Sequence, residues 1–291
     1  MDIKDLELFR SITNHMNLTK AARELNYVQS NVTSRLAKIE KEIGKKLLTR
    51  TNRGVYLTTE GKLFSEYVIR MIQLYNEMIN TMQNPDLISG QLSIGSTDIT
   101  TASRLPCVLA TFLEESPKVE FSLVNGSSED LIQDVMKYRI DGAFITDTID
   151  EPKFIQEKLI EEEVVLISNK SHPPIYSLRE LTKSKILVFN SGCTYRRKIE
   201  EWVAKEGVIV QKVVFGTIEG MIGCVKAGFG VALVSKLMAE QINKDAQLQI
   251  HKVPEEYRYV TTVFIRRKDI PITNTLDQFL NITRDKFNQC Y

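Results

Sequence analysis

The segment 18–43, LTKAARELNYVQSNVTSRLAKIEKEI, contains two helical patterns separated by a short break at residues 26–27. Ala21, Ala22 and Leu25 give the first helix a small apolar face. Thr19 is its candidate N-cap, because a threonine hydroxyl accepts hydrogen bonds from the free N–H groups of a first turn. A longer helix follows the break, so the segment predicts a helix-turn-helix.

The second helix of this segment has one apolar face and one polar face. Its apolar residues recur at spacings of four, three and four, which places them on one buried stripe: Val32, Leu36, Ile39 and Ile43. The opposite face carries Gln29, Ser30, Asn31, Thr33, Ser34, Arg35 and Lys38. Amide and hydroxyl groups read base edges in the major groove, and Arg and Lys bind phosphates. The face therefore fits DNA recognition, with a solvated amphipathic helix as the alternative.

The charge distribution supports the DNA-binding interpretation. The 291 residues carry a net charge of only +1, but residues 1–58 hold 11 Lys and Arg against 6 Asp and Glu, a net +5. The remaining chain holds 27 against 31, a net −4. A basic segment next to a mildly acidic body fits a DNA-binding head attached to a separate sensing body.

Cysteine spacing and the absence of targeting patterns indicate the cellular compartment of the protein. Four widely spaced cysteines form no CxxC pair, which favours reduced thiols over a disulfide framework. The first residues, MDIKDLELF, lack the apolar core of a signal peptide, and no run is long enough to cross a membrane. We expect a cytoplasmic protein with no membrane partner. The three histidines are far apart, so no metal site and no cofactor are predicted.

Segments on either side of the helix pair complete the head. Residues 2–16 read as a first helix, with apolar residues at three-residue steps that close a three-helix core. Gly44 suits a helix C-cap. Residues 45–58, KKLLTRTNRGVYLT, predict a β-hairpin wing with a turn at 52–54. Arg50 and Arg53 would reach from this wing toward a phosphate backbone or a minor groove, with simple solvation as the alternative.

A long helix is predicted after Thr58, which can cap its start. Its apolar residues alternate four and three apart in a heptad seam: Phe64, Val68, Met71, Tyr75, Met78 and Met82. The expected partner is the same helix of another subunit, and packing inside its own subunit is the alternative. Dimerisation would place two reading helices on neighbouring faces of DNA.

From residue 91 onward the chain alternates strands and helices, as α/β folds do. The predicted strands are 92–95, 119–124, 142–146, 162–168, 185–189, 213–216, 231–235 and 260–267. The predicted helices are 101–115, 129–139, 195–206, 218–228 and 274–288. Pro106 indicates that the first of these begins or bends near it. We expect two lobes joined by two crossings of the chain, with a cleft between them.

The order of these segments resembles the LysR-type transcriptional regulators. The matching residues are the early LELF, LTKAARELN, Gln29 at the start of the third helix, IEKEIG after Leu36, and LLTRTNRGVYLTTEG. His172–Pro173 and AGFGVALV at 227–234 also agree. The resemblance covers the whole chain and is most specific over residues 3–61. Val28, Ser30 and the Thr33–Ser34 pair depart from the family pattern, which leaves the DNA half-site open.

The resemblance implies a winged helix-turn-helix and linker helix followed by a two-lobed α/β effector domain like periplasmic solute-binding proteins. The expected domains are 1–58, which binds DNA, 59–87, which dimerises, and 88–291, which binds an effector. Lobe I is expected over about 90–161 and 267–291, and lobe II over about 162–266. The expected partners are double-stranded DNA, a small-molecule effector and further copies of the chain, in a homodimer or homotetramer. The predicted DNA contacts are Thr19, Gln29, Ser30, Asn31, Thr33, Ser34, Arg35, Lys38, Arg50 and Arg53.

Family effector contacts lie where the first strand of the body ends, here GSTDITT at 95–101. Ligands bind beyond the carboxyl ends of strands in such folds, and hydroxyls with helix N–H groups can hold an anion. The predicted effector residues are Ser96, Thr97, Thr100, Gly126, Ser127, Thr146, Cys193, Thr194, Arg196 and Thr217. Asp98 lies in the same loop and would repel an anionic ligand. The alternative is that the hydroxyls only cap helices.

The sequence leaves two other functions as alternatives. Cys193 precedes a helix whose first turn carries Arg196 and Arg197, and both features would lower a thiol pKa, so oxidant sensing is one alternative. An α/β enzyme with an incidental helical head is the other. The sequence contains no P-loop, no GxGxxG after a strand and no GxSxG motif. The sequence therefore favours a regulator over an enzyme.

Overall fold

The computed structural model describes residues 1–51, 54–83, 88–181 and 185–289. The chain divides into two compact units, Met1–Gly90 and Gln91–Tyr291. The first unit is called the head below and the second the body.

Three helices form the core of the head: α1 (Ile3–His15), α2 (Leu18–Glu24) and α3 (Gln29–Ile43). The cap of α2 is Asn17, whose side chain accepts from the N–H groups of Thr19 and Lys20. The expectation that Thr19 caps this helix is therefore wrong, because the helix already begins at Leu18. Gly44 ends α3 with a φ of 73°, as its C-cap role requires.

The apolar stripe of α3 packs into this core at three of its four predicted positions. Val32, Leu36 and Ile39 are buried with apolar residues of α1 and α2. Ile43 is 39% exposed, so its predicted burial is wrong. It lies in the last turn of the helix, where the buried side chain is instead an acid, Glu40.

A two-stranded hairpin follows, with β1 (Leu48–Thr51) paired antiparallel to β2 (Gly54–Leu57). The predicted wing is thus confirmed as a hairpin. The predicted DNA contact of Arg53 lies outside the described residues, and so does the side chain of Arg50.

The helix α4 (Thr59–Gln83) starts inside the head. The Thr58 hydroxyl accepts from the N–H of Gly61 at 2.9 Å, which confirms the predicted cap. A Cβ added at Gly61 would lie 1.9 Å from the carbonyl oxygen of Leu47, so this turn needs glycine. The ring of Phe64 packs edge-on against Phe9 with 4.9 Å between centroids.

The predicted heptad seam of α4 divides into two parts. Phe64 and Val68, together with Ile72, are buried in the head's own core. The later members are 40 to 79% exposed, namely Met71, Tyr75, Met78 and Met82. The internal packing that was the alternative therefore holds for the first part of the helix, and only the second part is available to a partner.

The body combines strands and helices around one continuous sheet. Its strands are β3 (Gly90–Ser96), β4 (Val119–Asn125), β5 (Gly142–Thr146), β6 (Phe154–Asn169), β7 (Lys185–Phe189), β8 (Gln211–Phe215), β9 (Gly230–Ser235), β10 (Leu248–Lys252) and β11 (Tyr259–Arg267). Its helices are α5 (Asp98–Ser103), α6 (Leu105–Glu115), α7 (Ser128–Met136), α8 (Thr194–Glu206), α9 (Ile218–Lys226), α10 (Lys236–Ile242) and α11 (Asn274–Gln289). The strands lie in the order β4-β3-β5-β11-β6-β9-β7-β8, and β10 also pairs with β6.

The long strand β6 passes through both lobes of the body. Its residues 154–163 pair with β11, whereas residues 164–169 pair with β9 and β10. Lobe I is therefore built on β3, β4, β5, β11 and the first part of β6, and lobe II on the rest of β6 and β7–β10. Strand β11 pairs with β5 over Thr262–Arg266. This pairing places residues 262–266 in lobe I, although the sequence assigned them to lobe II.

Most predicted elements of the body are confirmed, with four local differences. The predicted helix 101–115 is two helices, α5 and α6, and Pro106 lies in the first turn of α6. Strand β10, helix α10 and the first half of β6 were not predicted. Among the described residues, none of the helices combines the length and apolarity that crossing a membrane requires.

Candidate functional sites

The outward face of α3 carries most of the residues predicted to contact DNA. Five of them are exposed: Gln29, Ser30, Asn31, Ser34 and Lys38. Thr33 is half-buried on the same helix, and Thr19 is exposed on α2. The buried stripe on the other side of α3 fixes the helix against α1 and α2. The head therefore presents a rigid surface of amides, hydroxyls and one amino group, called the α3 face below.

Arg35 does not belong to the α3 face. Its guanidinium binds the carboxylate of Asp5 at 2.6 and 2.7 Å and also contacts Asp2 and the Tyr27 hydroxyl at 3.2 Å. The Asp5 residue is fully buried, so it needs this partner. The predicted DNA contact of Arg35 stays a prediction, but its positive charge is engaged by acids inside the head.

A buried acid connects α3 to the wing. The carboxylate of Glu40 accepts from the N–H of Leu47 at 2.9 Å, from that of Leu48 at 3.3 Å, and from Lys46 Nζ at 2.6 Å. Burial raises the pKa of Glu40, but these donors outweigh burial and hold the pKa below its ordinary value. Sequence reasoning missed this residue, since a Glu near a helix end reads as a solvated side chain.

A cavity of about 260 Å³ lies at the carboxyl ends of strands from both lobes of the body. Six predicted effector residues line it: Thr97, Gly126, Ser127, Thr146, Cys193 and Thr194. The Thr194 hydroxyl donates to the carbonyl of Thr146 at 3.3 Å, which links the start of α8 in lobe II to the end of β5 in lobe I. The structure thus brings together residues that lie far apart in the sequence.

The other four predicted effector residues do not line this cavity. Ser96 is fully buried, and Thr100 is buried and bonded to the Thr97 hydroxyl at 3.1 Å. Thr217 caps α9 by accepting from the N–H of Gly220. Of these three hydroxyls, Thr217 has the capping role that was the alternative, whereas Ser96 and Thr100 make local hydrogen bonds to Thr97. Arg196 lines an adjoining cavity of about 410 Å³.

The structure adds residues that sequence reasoning did not select. The lining of the first cavity also contains Asp98, Ile99, Asn125, Ser128, Asp130, Phe189, Asn190, Tyr195, Phe215 and Gly216. Phe189 and Phe215 end β7 and β8, and Asn190 and Gly216 follow these strands directly. The rule that ligands bind beyond strand ends led to Thr217 after β8 but passed over these four residues, which lie at the ends of β7 and β8 themselves.

Cys193 is the N-cap residue of α8 and is partly buried. Burial raises the pKa of its thiol above the ordinary value, and the N–H groups of the first turn and Arg196 offset this only in part. The helix start and Arg196 thus act on the pKa in the expected direction, but the expected net lowering is wrong because burial outweighs them. A neutral thiol suits a cavity wall better than an oxidant sensor, since the thiolate is the reactive form.

Comparisons with known proteins agree with this architecture. Residues 3–62 match the bacterial regulatory helix-turn-helix protein domain of the lysR family, and residues 85–288 match the LysR substrate binding domain. The chain is 40% identical over 286 residues to the HTH-type transcriptional regulator SoxR of Arthrobacter sp. (strain TE1826), covering 98% of this chain and 97% of that protein. It is 38% identical to the regulator GltR of Bacillus subtilis (strain 168), covering 99% and 97%.

Solved structures show the same fold at low sequence identity. A single-residue variant of full-length OxyR from Pseudomonas aeruginosa superposes with a TM-score of 0.76 at 14% identity, covering 99% of this chain and 95% of that one. CbnR in complex with its target DNA superposes with a TM-score of 0.71 at 18% identity, covering 98% and 100%.

A winged helix-turn-helix head followed by a two-lobed α/β body defines a DNA-binding transcriptional regulator, not an enzyme. The chain belongs to the LysR family of transcriptional regulators. Modulation of DNA binding by an effector is typical of this family.

Proposed function

We propose that this regulator binds double-stranded DNA through the α3 face and its wing, and that a small molecule in the 260 Å³ cavity changes this binding. The α3 face carries the proposal. It exposes amide, hydroxyl and amino groups on a helix whose opposite side is packed through Val32, Leu36 and Ile39. Such a helix docks in a major groove without rearrangement. Because its partner is chromosomal DNA, we place the protein in the cytoplasm.

The exposed part of the α4 seam supports self-association. Met71, Tyr75, Met78 and Met82 follow one another along one side of the helix, and all are at least 40% exposed. Burying them against the same helix of a second copy removes apolar surface from water. We therefore propose a homodimer built on residues 59–87, which could pair further into a homotetramer.

The cavity fits the effector part of the proposal because both lobes contribute to it. A ligand that contacts both lobes favours one arrangement of the lobes over others, and that difference in affinity is what shifts a conformational equilibrium. In this proposal, residues 88–291 form the effector-binding domain. Thr97, Ser127 and Thr194 supply hydroxyls to the ligand, with Cys193 as a cavity wall.

The experiment is a salt titration of binding to DNA from upstream of the protein's own gene. Replacing Lys38 by Ala removes one phosphate contact, so the slope of log affinity against log salt should become shallower by about 1. Lys118→Ala is the matched control, since Lys118 is exposed on the body. If the two variants bind with the same affinity and salt slope, the α3 face is not the reading surface.

A further inference from the structure

The cavity is lined by acids without a balancing base. Asp98 and Asp130 both contribute to its wall, and no Lys, Arg or His is found among the described residues that line it. Asp130 accepts a hydrogen bond from the Ser127 hydroxyl at 2.7 Å. The carboxylate of Asp98 has no ion pair and no side-chain hydrogen bond with any residue that the structure describes. The cavity therefore carries a negative charge that the protein leaves uncompensated.

The helix starts around the cavity already hold anions of their own. The first turn of α5 carries Asp98, that of α7 carries Asp130, and that of α9 carries Glu219. An anion at a helix start is stabilised by the free N–H groups and the helix dipole. Here side-chain carboxylates supply that charge, so an anionic ligand would meet like charges at three of the surrounding helices.

The arginine next to the cavity is already bound elsewhere. Arg196 donates to Glu200 Oε1 at 3.1 Å and to the carbonyl of Phe189 at 3.2 Å. Glu200 also binds Lys212 at 2.8 Å. The Arg196 guanidinium is thus held by its own helix and by the end of β7, and it does not line this cavity.

The rest of the wall combines hydroxyl and amide side chains with one apolar part, and the cavity is small. Ile99 and Phe189 are buried, and Phe215 is half-buried beside them. A volume of about 260 Å³ is near the lower end of the range for ligand cavities. No cluster of three His, Cys, Asp or Glu residues within the described ranges is arranged to hold a metal ion. A small organic cation fits these features better than a metal ion does.

We infer that the effector is a small organic cation, a protonated amine with a short apolar part, whose ammonium group binds Asp98. This inference rests on the proposed effector site and specifies the chemical class of its ligand. The ammonium would donate to the Asp98 carboxylate, and the apolar part would pack against Phe189 and Phe215. Burial and the charge of Glu219 raise the pKa of Asp98, and a bound ammonium would offset both.

The test measures binding of four probes to the full-length protein by calorimetry at matched ionic strength. The probes are pentylammonium, pentanoate, 1-pentanol and the amino acid norvaline, which share one chain length. Pentylammonium should bind at millimolar concentration, whereas pentanoate and pentanol should bind at least about tenfold more weakly, as the loss of a charge-assisted contact requires. Norvaline adds a carboxylate to the same chain. It should bind more weakly than pentylammonium, because its carboxylate meets the acids of the cavity.

Three variants locate the recognition. Asp98→Asn should weaken amine binding at least about tenfold, and Asp98→Glu should retain the preference for amines because it keeps the charge. Asp150→Asn is the matched control, since Asp150 is exposed and does not line the cavity. It should bind amines as the parent does.

The inference is wrong if pentanoate, pentanol or norvaline binds as well as pentylammonium, if pentylammonium does not bind at millimolar concentration, or if Asp98→Asn binds pentylammonium as tightly as the parent. If Asp98→Asn fails to fold, the preference of the parent protein for pentylammonium over the other probes is the test of the inference. The salt titration with DNA is independent of these measurements. Its success together with a failure of amine binding would overturn the ligand class and leave the DNA-binding proposal intact.

Discussion

The head and the body cavity use their charged residues in opposite ways. In the head, the acids Asp5 and Glu40 are buried and bound to partners, and Lys38 stays exposed on α3. In the body, Arg104 and Arg196 are bound to internal partners, and the acid Asp98 lines the cavity. The internal pairs therefore leave the positive charge of Lys38 on the α3 face and the negative charge of Asp98 in the cavity wall.

The comparison shows why net charge does not identify a binding surface. The whole chain has a net charge of only +1. A buried charge must have a partner, because desolvation without one costs several kcal/mol. The charge left at a surface therefore depends on which residues are buried in internal pairs. Where acids are buried, basic groups stay exposed, and where bases are buried, acidic groups do. Substitutions that break a buried ion pair in the head or in the body test this explanation.

The largest effect is expected for the Arg104–Glu162 pair of the body, whose side chains are 5% and 4% exposed. Arg104→Ala leaves Glu162 buried without its charged partner, so the free energy of unfolding should fall by about 3 to 5 kcal/mol. Urea unfolding followed by circular dichroism measures this change. The control is Arg139→Ala, which removes an exposed pair with Asp134 and should cost at most about 1 kcal/mol. Equal costs for the two variants would contradict the account.

A smaller effect is expected for the matching pair in the head. Arg35→Ala should lower the stability of the head by about 2 to 3 kcal/mol, since Asp5 loses its charged partner but Arg35 is itself partly exposed. Hydrogen exchange of the α1 and α3 amides measures the head separately from the body. Lys38→Ala on the same helix is the control and should change stability by less than about 0.5 kcal/mol. If Arg35→Ala exchanges as the parent does but fails to bind DNA, Arg35 reads DNA after all.

The smallest effect is the response of each unit to acid. The pKa of Glu40 lies below its ordinary value of 4.5, so its stabilising contribution is complete above that pH and is lost as the pH falls through the lowered pKa. The pKa of Asp98 lies above its ordinary value of 3.8, so its ionised form destabilises the body, and acid relieves this cost.

Two variants and urea unfolding between about pH 3 and pH 7 test these signs. At neutral pH Glu40→Gln should destabilise the head and Asp98→Asn should stabilise the body. Both differences should diminish in acid as the parent carboxylates become protonated. If both substitutions change the free energy of unfolding in the same direction, Glu40 does not stabilise the head while Asp98 destabilises the body, and the account is wrong.

The periodicity of the sequence predicted most of the fold for a clear physical reason. Buried elements must repeat apolar residues at the spacing of a helix or a strand, so α3, β5 and β9 are recognisable without context. The first half of β6, FIQEKLIEEE, is rich in charged side chains and was missed. Its strand conformation comes from pairing with β11, which lies much later in the chain.

The candidate sites were less predictable because partners decide the role of a polar side chain. Arg35 and Lys38 lie one turn apart on the same helix, yet one is bound to a buried acid of α1 and the other is exposed. Among the hydroxyls, Thr97 lines the cavity, whereas Thr217 caps a helix. Local sequence carries no signal for these differences, since each depends on a residue from another segment.

The division of the α4 seam has a practical consequence for building hybrid regulators. Gly61, Phe64, Val68 and Ile72 belong to the packing of the head, although they lie in the helix that leads away from it. A domain swap joined at residue 58 would remove these residues from the interior of the DNA-binding domain and expose Phe9. A junction placed after Ile72 keeps that interior whole and exchanges only the part of the helix whose apolar side chains are exposed.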